Sequence, residues 1–111
     1  MKINFNIMSI KCVCINDSDR PTEIPESKWI KKGNEYYVYF IITVLPQKQL
    51  GFLLEEIELD ESCKPYEFFL SHRFMFNVED LDKLIQLIKD CTDTAFSVDE
   101  VIKQTQLETV E

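Results

Sequence analysis

The sequence predicts an α+β chain, with a small, strongly bent antiparallel β-barrel over residues 1–76 and two helices over residues 77–111 that pack back on it. Three observations carry this. Residues 36–45 are apolar or aromatic at both parities, Tyr36, Val38, Phe40, Ile42 and Val44 against Tyr37, Tyr39, Ile41 and Leu45. Extended, such a run reaches about 33 Å, which is long for a chain of 111 residues, so the strand is expected to coil and serve two layers as barrel strands do. Finally, from Asn77 onward the apolar period changes from two to that of a helix.

In chain order, residues 1–15 read as strand. Ile3, Phe5 and Ile7 share one face, and Cys12 and Cys14 share one face after Ser9. Residues 16–28 hold Asp17, Ser18, Asp19, Pro21, Pro25 and Ser27. These are turn formers, and prolines block a ladder, so this is a long loop. A loop of that length is either functional or an organised excursion. Lys32-Gly33-Asn34 reads as a turn with Gly33 at positive φ. After the 36–45 strand and a turn at residues 46–49, residues 50–60 read as a strand whose parity slips from Phe52 and Leu54 to Ile57 and Leu59. A bulge near Glu55-Glu56 accounts for the slip. Residues 66–71 read as one helical turn and residues 72–76 as a short strand.

Asn77 is a good N-cap, Glu79 and Asp80 suit the first turn, and Phe76 is placed to staple onto Leu81. Leu81, Leu84, Ile85 and Ile88 make one apolar stripe. A second helix is expected from Ser97, with Glu100 completing a capping box and the last residues fraying.

Composition narrows the function classes. Only two glycines occur, Gly33 and Gly51, so a phosphate-cradling loop is excluded. The net charge of −8 is uneven. Residues 1–54 carry 7 basic and 5 acidic side chains, residues 55–111 carry 5 and 15. The acidic half disfavours generic nucleic-acid binding and suits either a solvated surface or a basic protein partner. No apolar run approaches the roughly 18 residues of a membrane span and no leader is visible. A cytoplasmic location with four reduced cysteines is therefore expected.

The residues Cys14-Ile15-Asn16-Asp17-Ser18, Lys32-Gly33-Asn34-Glu35-Tyr36, Gly51-Phe52-Leu53-Leu54-Glu55-Glu56-Ile57 and Arg73-Phe74 resemble a pattern in short uncharacterised proteins of bacterial phages and mobile elements. The resemblance spans about residues 11–76 and implies an SH3-like small barrel. Its motifs are structural rather than catalytic, and this chain adds the N-terminal strand and the C-terminal helices.

Each candidate site has a plainer competitor. Cys12 and Cys14 are two apart, and Cys63 and Cys91 stand alone. That spacing suits small buried side chains better than zinc. His72 is the sole histidine and lacks a local nucleophile signature. Arg73 is expected to pair with Glu55 or Glu56 and pin the last strand. Glu56, Glu58, Asp60 and Glu61 form an acidic strand that suits a basic partner or, more plainly, a solvated edge. Lys28, Trp29, Lys31, Lys32, Tyr37 and Tyr39 form the one aromatic-basic cluster, an alternative surface for a peptide or for stacked bases.

No catalytic group, metal or cofactor is expected. The sequence reads as a non-enzymatic protein-binding module. By analogy with the phage-like set it is an inhibitor or modulator of a host nucleic-acid-handling complex, anti-CRISPR-like in kind, with a basic nucleic-acid-binding protein as partner. A single-stranded nucleic-acid-binding accessory is the alternative.

Overall fold

The fold was analysed in a computed structural model, which describes residues 9–44, 49–91, 103 and 106–108. Its strands are β1 (Ile10–Cys14), β2 (Glu35–Val44), β3 (Gln49–Leu54), β4 (Phe69–Leu70), β5 (Phe74–Asn77) and β6 (Gln106–Glu108), with a helix, α1 (Leu81–Cys91). They form one sheet in the order β4-β3-β2-β1-β5-β6. The first five strands are antiparallel and β6 runs parallel to β5. β1 sits between β2 and β5, with Cys12 opposite Tyr36 on one side and Phe76 on the other.

The sheet is open. Among the described residues no ladder joins β4 to β6, which corrects the expected barrel. The double-parity run has another cause. Val38 pairs with Leu54 and Phe40 with Leu53, so Tyr39 is an extra residue on β2. The bulge switches the buried face: Tyr36 and Val38 point into the core before it and Ile41 after it, while Tyr37 and Phe40 are exposed. It therefore lies on β2, opposite Leu53 and Leu54, rather than on the partner strand near Glu55-Glu56.

β3 stops at Leu54, so residues 55–60 are not the predicted acidic strand. The Glu55 N–H donates to the Tyr37 carbonyl at 2.9 Å. The Glu56 carboxylate accepts from the Tyr37 N–H at 3.0 Å, so a side chain takes the place of a ladder carbonyl and ends the pairing. Ile57 and Leu59 then pack on the core from outside the sheet.

One face of the sheet is covered by α1. Leu84, Leu87 and Ile88 are buried against Ile10, Cys12, Val38, Ile41, Leu50, Phe52, Phe74 and Phe76, with Leu81 and Ile85 at the margin. The Asn77 carbonyl oxygen of the side chain accepts from the Glu79 N–H at 2.8 Å, and a 3-10 turn (Val78–Asp80) leads into the helix, as the capping residues require. The expected second helix lies outside the described residues, apart from Lys103, which is helical, and residues 106–108, which are strand rather than frayed helix. The expected strand over residues 1–8 also lies outside them. Residues 66–71 are not a helical turn; β4 falls there, and 3-10 turns flank it at Glu61–Cys63 and Ser71–Arg73.

Candidate binding cavity at Trp29

The long loop after β1 is organised from its first residue. The Asn16 side chain accepts from the Ser18 N–H at 3.0 Å and the Ser18 hydroxyl at 2.6 Å, turning the chain sharply. Arg73 holds this turn from below. Its carbonyl accepts the Ile15 N–H at 2.8 Å, and its Nη1 donates to the carbonyls of Ser18 at 2.8 Å and Asn16 at 3.2 Å. The expected pairing of Arg73 with Glu55 or Glu56 does not form. Glu56 is engaged by Tyr37, and the guanidinium is drawn to backbone carbonyls instead.

Trp29 closes the loop from the other end. Its Nε1–H donates to the Asp17 carbonyl at 2.7 Å, and its ring lies 5.7 Å from that of Phe69. The Arg73 guanidinium carbon sits 4.9 Å from the Trp29 ring centroid, within cation–π range. The Asp17 carboxylate takes the Lys32 N–H at 3.0 Å. Between these anchors, Ile24 turns inward and is 1% exposed. The Arg20 Nη1 caps the Ile24 carbonyl at 2.6 Å.

The result is a cavity of about 240 Å³ between this loop and residues 65–70. Pro21, Ile24, Trp29, Tyr66 and Phe69 give it an apolar wall, with Arg73 at its polar side. A smaller recess of about 60 Å³ lies beyond Glu67, Phe68 and Phe69, with Tyr39 and Leu53 on its far side. Phe68 lines both. Its ring covers Gly51, where a Cβ would stand 2.5 Å from Phe68 Cδ1.

The sequence-predicted residues are distributed differently. Asp60 caps the 3-10 turn that follows it, accepting the Ser62 N–H at 3.0 Å and the Ser62 hydroxyl at 2.6 Å. It also pairs with Lys28 at 2.6 Å. The Lys28 ammonium, then the Ser62 donors, pull its carboxyl down to about 2. The same pair raises Lys28. One acid of the first candidate surface and one lysine of the second thus neutralise each other.

Glu58 and Glu61 are exposed. Of the aromatic-basic cluster, Trp29 lines the large cavity, Tyr39 the small one, and Tyr37 is exposed on the sheet face away from α1. Lys31 and Lys32 remain exposed. These six do not form one surface.

Cys12, Cys14 and Cys63 are buried and Cys91 half-buried, all as free thiols. Burial pushes the thiols of Cys12, Cys14 and Cys91 up, away from thiolate chemistry. Partial burial, then the Arg73 charge, lowers His72. Among the described residues no three His, Cys, Asp or Glu side chains are grouped to hold a metal ion, and no helix is long and apolar enough to cross a membrane.

Sequence reasoning missed Pro21, Ile24, Pro65, Tyr66 and Phe68 as cavity residues. Two signals pointed to them. Ile24 is a large apolar residue inside a polar, proline-bounded loop, and Gly51 is a strand-interior glycine, which marks close approach of another group.

Comparison with protein-family models, with curated proteins and with solved structures gave no match.

Proposed function

We propose that the protein is a non-enzymatic protein-binding module and that its binding site is the Trp29 cavity rather than the acidic segment. The observation that carries this is the cavity itself, walled by a loop that three side chains, Asn16, Trp29 and Arg73, fix in place. Conserving such a pocket requires ordering a long loop, and an apolar pocket bordered by a few convergent polar groups is the usual form of a binding site. At about 240 Å³ it falls below the roughly 300–1,000 Å³ of small-molecule sites. One or two partner side chains suit it better than a cofactor.

The narrower reading, an inhibitor or modulator of a nucleic-acid-handling complex, draws its support from the acid-rich composition of residues 55–111 and from the phage-like motifs.

The test compares partners captured by the wild type, by Tyr66→Glu and by the double variant Glu58→Lys/Glu61→Lys. Tyr66 is 39% exposed at the cavity, so a charge there should spare the fold. Loss of a partner with Tyr66→Glu and its retention with the lysine variant is expected. The reverse pattern returns the site to the acidic segment.

A further inference from the structure

Resting on that reading, we infer that the Trp29 cavity recognises an acidic peptide segment, one that places a large apolar side chain in the cavity and an adjacent Asp or Glu carboxylate on Arg73. The chain has two arginines, of which Arg73 is on the cavity wall and Arg20 behind it. Arg73 lines the cavity, and Arg20 is bonded to the carbonyl of Ile24, which lines it. In a chain with 20 acidic side chains, neither arginine pairs with a carboxylate among the described residues. The four ion pairs there, Lys11–Glu35, Lys28–Asp60, Lys64–Glu67 and Lys83–Asp80, all use lysine.

Glu67, the one acid on the cavity wall, is engaged by Lys64 at 2.8 Å. Arg73 uses Nη1 for backbone carbonyls and sits 4.9 Å from the Trp29 ring centroid, contacts that hold its guanidinium at the cavity. Its Nε and Nη2 carry further N–H donors. A held, planar guanidinium beside an apolar wall matches the geometry of a carboxylate better than that of any neutral group. The acid-rich half of the chain opposes such a ligand at long range. That repulsion is screened beyond a Debye length of about 8 Å at physiological salt, whereas the contact at Arg73 is not.

The chain's single tryptophan is Trp29, so its emission reports on occupancy directly. A bead-displayed library of random heptapeptides is selected on the full-length protein at physiological salt, and enriched peptides are titrated against Trp29 emission. The expected result is enrichment of peptides with Leu, Phe or Trp within two positions of Asp or Glu. Replacing that acid by its amide in the peptide should weaken binding about tenfold or more, and Arg73→Gln should abolish the difference between acid and amide.

Because the decisive substitution is in the peptide, the test survives even if Arg73→Gln loosens the loop. Peptides that shift Trp29 emission but carry no acid, or bind equally well as amides, overturn the inference and leave the binding cavity standing. No enrichment, or binding that leaves Trp29 unchanged, overturns both.

Discussion

Two excursions leave the sheet, residues 15–34 between β1 and β2 and residues 55–68 between β3 and β4, and they use charge differently. In the second, carboxylates serve the backbone. Glu56 takes the Tyr37 N–H, and Asp60 takes the Ser62 N–H and the Lys28 ammonium. In the first, cations do most of this: Arg20, and Arg73 from the turn beneath, donate to the carbonyls of Ile24, Asn16 and Ser18, with the Asp17 carboxylate on the Lys32 N–H beside them. The acids are distributed along a segment, and only Glu58 and Glu67 of the second excursion border the small recess. The arginines gather the first loop around a cavity. The larger cavity is thus bordered by a sparse charge beside an aromatic ring and not by the dense acidic run of residues 55–61.

The comparison can be broken at several points. The largest effect is expected from Leu84→Asp, which places an unpaired charge under the sheet from which both excursions leave. A loss of roughly 3 kcal/mol or more is expected in denaturant unfolding, with both loops lost together. If Trp29 emission and the unfolding midpoint are unchanged, α1 does not support this face.

Next comes Ile24→Ala. Ile24 is as buried as the sheet core, so truncation should destabilise by about 2–4 kcal/mol. A cost under about 0.5 kcal/mol, the range of surface substitutions, would show that the first loop is no better anchored than the second.

Gly51→Ala should cost about 1–3 kcal/mol by overpacking, since the new Cβ meets Phe68 Cδ1 at 2.5 Å and Ile42 Cγ1 at 3.1 Å. Displacing Phe68 should also change ligand affinity at the Trp29 cavity. An unchanged affinity would mean that the wall shared with the Tyr39 recess plays no part in recognition.

The smallest effect is Asp60→Asn, read as pH dependence. The carboxyl of Asp60 is held at about 2 in the folded chain against an ordinary 3.8. Its contribution is therefore complete above about pH 4 and is lost as pH falls through about 2. The stability difference between wild type and Asp60→Asn should shrink over that interval. A difference that stays constant from pH 5 to pH 2 would show that the Lys28–Asp60 pair adds nothing to the joint between the two excursions.

Much of the architecture was legible in the sequence. The positive φ of Gly33, at 91°, the Asn77 cap and the burial of Leu84 and Ile88 follow from local chemistry, and the structure shows each. Leu87, omitted from the predicted stripe, is buried too. The barrel was misread because a run apolar at both parities has two physical origins, a strand serving two layers and a strand that changes face at a bulge. Tyr39 makes it the second.

The acidic strand was misread because alternation resumes at Ile57 and Leu59 while the backbone pairing with β2 ends at Glu55. A glutamate side chain capping an N–H leaves no trace in hydropathy. The cavity was the least legible part. Its walls come from residues 21–29 and 65–73, which meet through β3, β4 and the turn at Arg73, and no local pattern records that meeting.

The strand order has a kinetic side. β2, β3 and β4 follow one another in sequence and pair as neighbours, so their ladders close over short stretches of chain. β1 also pairs with its sequence neighbour β2, but its other edge is different: it takes β5, bringing Cys12 to Phe76 from distant parts of the sequence. Closure over such a distance is entropically the most demanding step and the natural candidate for the last. Asn16 and Arg73 stand at that junction. The pocket is then a product of completed folding, absent from any partly zipped meander, and a partner that binds it would recognise the finished chain alone.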